Sequence, residues 1–533
     1  MITGASVAVL GFLLTWRVIP RLTDDRLCVA FALASYLLKI VLTLVLYHAS
    51  FYHWPILTWY QGEPGFWVFG EDAVAHHFLG RHLFYSWTGV APLPNIDIGN
   101  WSFVVYVGLV YLLLGVHPLN VAFLNAWYGT AIIAAGIVMM RRWGVSTSSM
   151  RLGVALLAFW PSLTFWSTQL MKDPLFLTLI MLGLCVLVVM TESRGRAGFS
   201  LLLLPAGLGA LAFLLTLIRG YTGLVFGLTT MLTAGSLAPG AVRTRAWPFL
   251  LRLLLSVVMV GAGFAASKHV DLSRLVQHVP ASGVSAAPTA PRPQEQPARV
   301  EERAPAPAPA PNVQAPSVQS PLVSPAINQA PIVLAKPSEP LSQPTPAAPS
   351  GGPSQHAAGA PPRRPKGSLH YRIEGMLANS VSTHALYAAR HGFVSSGGYS
   401  LVDSEVSFDN PVMELVYLPR GLSLALLSPF PWQWFDTGGR TRVFRIGSMV
   451  EVGLIYLLLL AFLLRIREAR KYVGIRTGIV LVFVALTAIP MSLTVANLGT
   501  LFRLRLQFLI PLLLLMCVVD VLGFYRRLLT RTS

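Results

Sequence analysis

Charge is scarce in this chain. Only 12% of its 533 residues are Asp, Glu, Lys or Arg, against 54% hydrophobic, and a soluble globular protein carries about twice that charged share. The shortage excludes an ordinary water-soluble domain. Cysteine is scarcer still: Cys28, Cys185 and Cys517 all lie in apolar stretches, with no CxxC or Cys/His spacing. They read as small buried hydrophobes, which argues against a disulfide framework or a zinc site. Acidic residues number 22 against 40 Lys+Arg, a net charge of +18. No basic module stands apart from the apolar runs, so the excess does not point to nucleic acid. It fits residues that anchor topology and face phosphates in a membrane protein. A Walker loop, GxGxxG, GxSxG and HExxH are all missing, which leaves nucleotide-driven transport and a soluble-type hydrolase site unsupported. No sequence repeat is visible.

What the chain does have is long apolar runs of about twenty residues, the length that crosses ~30 Å of hydrocarbon at ~1.5 Å per residue. They predict an all-α integral membrane protein with about eleven transmembrane helices. The spans fall near 3–19, 28–48, 121–140, 152–168, 175–190, 201–217, 224–237, 249–266, 443–464, 477–495 and 506–523. Residues 1–14 lack a basic start and are followed by basic residues, so the first run reads as a retained span and not a cleaved signal. A further run, 103–116, is short for a crossing.

Basic clusters decide its status. Arg17, Arg21 and Arg26, then Arg141, Arg142 and Arg151, Arg194 and Arg196, Arg243 and Arg245, 465–476 and 526–531 all fall on one side if 50–120 stays wholly on the other. The positive-inside rule makes that first side cytoplasmic. The expectation is an N-terminus outside, a C-terminus inside, and 103–116 lying in the outer interface as an interfacial helix. Four segments then face outward: 50–120, a short loop at Lys172 and Asp173, a long loop 267–442, and the 497–505 turn.

The chain divides accordingly. Residues 1–279 form an N-terminal transmembrane module containing the outer loop 50–120. Residues 280–367 are dominated by Pro, Ala, Gln and Ser, including APAPAPAP at 304–311. Such a composition buries too little surface to offset ordering entropy, so a disordered, partly polyproline-II outer insertion is expected, either a tether or a docking site for envelope partners. Residues 368–441 contain enough aromatics for a small extracytoplasmic segment with a helix near 373–390, and 442–533 form a C-terminal transmembrane module.

Candidate chemistry clusters on the outer side. In VFGEDAVAHHFLGRHL, 68–83, Glu71 and Asp72 sit at a helix start, with His76 and Leu79/Gly80 following on the same face. N-capping explains one carboxylate. Two adjacent ones also suit abstraction of a proton from an acceptor hydroxyl, or a share in holding a divalent metal ion. In WPSLTFWSTQLMKDP, 160–174, Lys172 and Asp173 precede Pro174 in a helix's first turn. They are either a cap with an interface anchor, or a lysine meeting a phosphate beside a carboxylate that orients it. Arg219, Arg420, Arg503 and Arg505 stand at outer span ends, against the positive-inside preference. Headgroup snorkelling is one explanation, and a guanidinium fork for the phosphate of a lipid-linked substrate is the other. Glu451, inside the span 443–464, is the clearest intramembrane acid and calls for a basic or polar partner.

These segments resemble the GT-C-type polytopic membrane glycosyltransferases of the envelope-polysaccharide kind. GEDAVAHHFLG is similar to the acidic motif of their first outer loop, with Asp72 at the matching position. YLLLGVHPLNVAFLNAWYGT (111–130) is similar to the passage after it, FWPSLTFWSTQLMKDPLF (159–176) to a recurring segment, and so are YLPRGLSLALLSPFPWQW (417–434) and NLGTLFRLRLQFLIPLL (497–513). Two features depart from the pattern: His76 and His77 replace the usual aromatic, and an extra span comes first. The resemblance implies a multi-pass protein of the cell (inner or plasma) membrane that moves a sugar from a polyprenyl-phosphate donor to an envelope glycan, lipid or protein acceptor. Asp72 would be the base, supported by Glu71, with Lys172, Asp173, Arg219, Arg420, Arg503 and Arg505 as the phosphate and substrate set. His76 and Glu451 would be supporting residues, and nucleic acid is not among the partners. A transporter or flippase of lipid-linked saccharides and a non-catalytic scaffold of polysaccharide assembly are the competing classes.

Overall fold

A computed structural model of the chain describes residues 2–93, 101–191, 200–244, 246–270, 383–395, 401–408, 410–435 and 442–525. The side chain of Glu71 is outside that description, as is the whole 280–367 insertion. The described residues are overwhelmingly helical: α1 (Ile2–Leu22), α2 (Arg26–Phe51), α3 (Glu71–Trp87), α4 (Ser102–Leu114), α5 (Pro118–Trp143), α6 (Thr147–Phe159), α7 (Pro161–Trp166), α8 (Asp173–Met190), α9 (Ser200–Ile218), α10 (Gly220–Arg243) and α11 (Trp247–His269). Further on come Thr383–Ser395, Pro411–Leu427, Arg442–Leu464, Ile475–Thr494, Leu498–Leu504 and Leu506–Met516.

Eight of these helices are long and apolar enough to cross a membrane, and nine if Leu498–Leu504 and Leu506–Met516, bent by 53°, count as one span. The chain is a multi-pass all-α membrane protein. Two expected spans take a different form. The run 152–168 is broken at Trp160, because Pro161 has no N–H for the α6 ladder and its ring clashes with the preceding turn. In 201–217 only Leu202–Ile218 is described as an apolar helix, shorter than the long spans. Helix α4 is a 13-residue element about 20 Å long, too short to cross. In the segment 368–441 a helix begins at Thr383, and the earlier part of the expected 373–390 stretch lies outside the described residues.

Burial separates core from rim. Helices α5 and α8 are 67% and 72% buried within the protein, whereas α1 is 17% buried and turns its side chains outward. Without a hydrophobic drive between helices in lipid, close packing must hold the bundle. It is closest between α9 and α11, where a Cβ on Gly263 would stand 2.2 Å from the Gly209 carbonyl oxygen. One buried charge inside the bundle is held by hydroxyl and carbonyl oxygens. Lys39 in α2 is fully buried and donates from Nζ to Ser35 Oγ at 2.8 Å, and Ser35 donates to the Ala158 carbonyl at 2.6 Å.

The helix ends sort into two layers. At one, Arg151 pairs with Asp25 at 2.7 Å, Arg141 donates to the Leu22 carbonyl, Arg476 to the Arg142 carbonyl, and Arg465 to the Asp520 carbonyl at 2.9 Å. At the other lie the end of α2, all of α3 and α4, the starts of α5, α8 and α10, and Leu498–Leu504. The chain leaves α2 and enters α5 at this second end. Ser50 and Leu46 are tied to Phe66 and Trp67, Ser102 donates to the Leu217 carbonyl, and Asn120 donates to the Leu114 and Gly115 carbonyls at 3.0 and 2.8 Å.

Candidate functional site

Four elements meet at this second end. Asp72 lies in the first turn of α3, whose N-cap is Gly70, with no side-chain cap bond. Its carboxylate accepts from Arg503. Asp173 opens α8, where the helix dipole favours a carboxylate. Arg219 stands between α9 and α10, and Arg503 lies in Leu498–Leu504.

These residues form one continuous ionic chain. Arg503 donates from Nη1 to Asp72 Oδ2 at 2.7 Å and from Nε to Asp173 Oδ2 at 2.6 Å. Arg219 donates from Nη2 to Asp173 Oδ1 at 2.6 Å. Asp173 thus spends both oxygens on two guanidinium groups and is 4% exposed, while Asp72, at the open end, is 48% exposed. Aromatic faces back the cations: Arg219 lies 4.7 Å from the Phe176 ring centroid, and Arg503 5.8 Å from a Trp166 ring.

Lys172 adjoins this chain, half-buried, and among the described residues it closes no ion pair. Burial, then the neighbouring Arg219, push its ammonium below the ordinary lysine range. Burial works to raise the Asp72 carboxyl, but Arg503 outweighs it, with His76 and Lys172 assisting, and holds the group below the usual carboxylate range. His76 is pushed down to about 4, first by burial and next by Lys172. It is therefore a neutral imidazole at neutral pH, packed edge-on against Phe103 at 4.7 Å. His77 is likewise held at about 4 by burial, and its Nδ1 shares a 2.7 Å hydrogen bond with the Tyr111 hydroxyl.

The turn that delivers Lys172 and Asp173 is clamped from within. Asn125 of α5, fully buried, donates from Nδ2 to the Gln169 carbonyl at 2.6 Å and the Met171 carbonyl at 2.9 Å. Gln169 in turn abuts the start of α3, since a Cβ on Gly70 would meet its Oε1 at 2.3 Å. Asn125 and Gln169 were not among the sequence candidates. The available signal was a lone Asn inside an apolar run.

Three of the expected residues lie elsewhere. Arg505 is 1% exposed, donates from Nη2 to Glu451 Oε1 at 2.8 Å and from Nη1 to the Ser428 carbonyl at 2.8 Å, and lies 4.0 Å from the Phe502 ring centroid. Glu451, fully buried, also accepts from the Ser162 backbone N–H at 3.1 Å. This pair ties four segments together within the bundle. It does not belong to the Asp72 chain. Arg420 grips Asp403 with two 2.7 Å bonds, a fork that holds the Asp403 carboxyl low, and Tyr417 adds a 3.0 Å bond. Arg390 fastens the same segment through the Asp403, Val406 and Leu493 carbonyls. Arg420 is thus a fastener of the segment around Asp403.

Among the described residues no three His, Cys, Asp or Glu side chains are grouped to hold a metal ion. Asp72 and Asp173 are already committed to guanidinium groups, a poor donor set for a divalent cation. What the cations of the site suit is an anion, beside a carboxylate half exposed to solvent. No family model, curated protein or solved structure matches the chain.

Proposed function

We propose that the protein is a membrane glycosyltransferase that moves a sugar from a polyprenyl-phosphate donor to an envelope acceptor on the extracytoplasmic side. The single observation that carries this reading is the Asp72–Arg503–Asp173–Arg219 chain with Lys172 beside it, at the end of the bundle opposite the basic helix ends. A carboxylate that can take a proton and cations that can take a leaving phosphate stand within one cluster. That is what displacement at an anomeric carbon requires.

Asp72 accepts the acceptor hydroxyl's proton as its oxygen bonds to the anomeric carbon. The bond from that carbon to the phosphate oxygen breaks, and its electron pair leaves with the phosphate toward Lys172, Arg219 and Arg503. One displacement inverts the configuration, and no carboxylate acts as nucleophile. Eleven crossings follow if α6–α7, α9 and the bent pair each span. The basic ends then face the cytoplasm, the N-terminus lies outside, and the membrane is the inner or plasma membrane. A transporter would need charged groups lining a path through the spans, whereas Lys39, Glu451 and Arg505 are packed away at 0–1% exposure.

Donor turnover by purified protein tests this. Asp72→Asn keeps the size and loses the base, and turnover is expected to fall by about 10²–10⁴-fold. Full turnover by that variant rules the mechanism out.

A further inference from the structure

As it stands, the cluster has an awkward feature for a base: Asp72 is locked to a cation. We infer that a phosphate-ester anion seated at Lys172 and Arg219 draws the Arg503 guanidinium off Asp72, so that the carboxylate is released only when that anion is in place. The inference rests on the proposed reading of the site as one that handles phosphate.

The charges set this up. Among the described side chains, two carboxylates, Asp72 and Asp173, face three cations, Lys172, Arg219 and Arg503, an excess of one positive charge. One enclosed donor is also unmet among the described residues. Arg219 is 9% exposed, and its Nη1 is enclosed with no acceptor among the described residues. Lys172 closes no ion pair among the described residues. An enclosed guanidinium N–H without a partner is costly and marks a place where an acceptor belongs. A phosphate supplies several oxygens and suits a guanidinium fork.

The two bonds of Arg503 lie in unequal surroundings. Its Nε bond goes to Asp173, which is buried and shared with Arg219. Its Nη1 bond goes to Asp72, half open to solvent, which accepts from no other described side chain. Exposed ion pairs are worth least. Competition from a phosphate therefore breaks the Asp72 bond first, with Arg503 pivoting on Asp173. Before that, Asp72 is held as a poor base. Afterwards it is free for the acceptor hydroxyl.

A double-mutant binding cycle on the full chain tests this without any transfer reaction. Calorimetric affinities for inorganic phosphate are compared for the native chain, Asp72→Asn, Arg503→Gln and the double variant, each checked for an intact melting transition. If Asp72 and phosphate compete for one guanidinium, Asp72→Asn strengthens binding about tenfold with Arg503 present and not at all in the Arg503→Gln background. A merely nearby negative charge strengthens binding equally in both backgrounds, which overturns the inference, as does the absence of phosphate binding. Repeating the cycle with farnesyl phosphate identifies the source. Tighter binding than inorganic phosphate assigns a lipid-borne ester and equal binding a free one, and the switch stands only where the cycle shows the dependence on Arg503. Loss of transfer in Asp72→Asn bears on the catalytic reading alone, so the two can fail separately.

Discussion

Replacing Arg503 with Gln is expected to cut donor turnover by about 10²–10³-fold, the usual cost of removing one preorganised charged donor from a developing oxyanion. The loss should fall on kcat, since the phosphate's charge grows as the bond to the sugar breaks. Releasing Asp72 does not compensate, because a free base is of little use while the leaving group lacks one of its three cations. Arg503→Lys is expected to lose most of this activity too. A single ammonium cannot bond Asp72 and Asp173 in the fork geometry of Arg503, which reaches them at 2.7 and 2.6 Å. The fold should survive, as Arg219 still holds Asp173. Steady-state kinetics of both variants check this, and native kcat in Arg503→Gln contradicts the assignment.

The largest stability effect is expected at the other arginine of the same turn. Glu451→Ala leaves Arg505, 1% exposed, as a buried cation whose one ion pair is gone. Breaking a buried pair from one side costs about 3–5 kcal/mol, enough to strip most of the stability of a marginal membrane fold. Replacing both partners, Glu451→Met with Arg505→Met, removes the desolvation cost along with the attraction and is expected to recover much of the loss. Thermal melting in detergent reads both. The double variant should also retain donor turnover, because Arg505 does not touch the Asp72 chain. A stable double variant without turnover would return Arg505 to the phosphate set.

Arg503 and Arg505 also show what the sequence can and cannot convey. The apolar runs announced the membrane spans, and the basic clusters announced which helix ends lie together, because hydrocarbon and charge impose themselves locally. The convergence of Asp72, Lys172, Asp173, Arg219 and Arg503 was also within reach, since all five break an otherwise apolar or basic-poor end. Which arginine joins them was not. Residues two apart on a helical turn point to different sides, and the bend at Arg505 exaggerates the difference, sending Arg503 to Asp72 and Arg505 to Glu451. The destination of each depends on helices more than fifty residues away in sequence. Arg420 misled for a similar reason. Its partner Asp403 lies in an irregular segment, joined to the Ala496 carbonyl through Val402, that no periodicity predicts. Lys39 is a lone charge in an apolar run that the sequence candidates did not include, although its depth in α2 marks it at once.

Sidedness of the ionic cluster is tested most directly by labelling. Val90, just past α3, and Val473, at the basic end, are 69% and 78% exposed. Each is changed to Cys in turn, against native cysteines that are buried or half-buried. In right-side-out membrane vesicles treated with an impermeant maleimide, the Val90→Cys variant is predicted to label at once, and Val473→Cys only after the membrane is opened. The reverse pattern would put Asp72 on the cytoplasmic face and contradict an extracytoplasmic transferase.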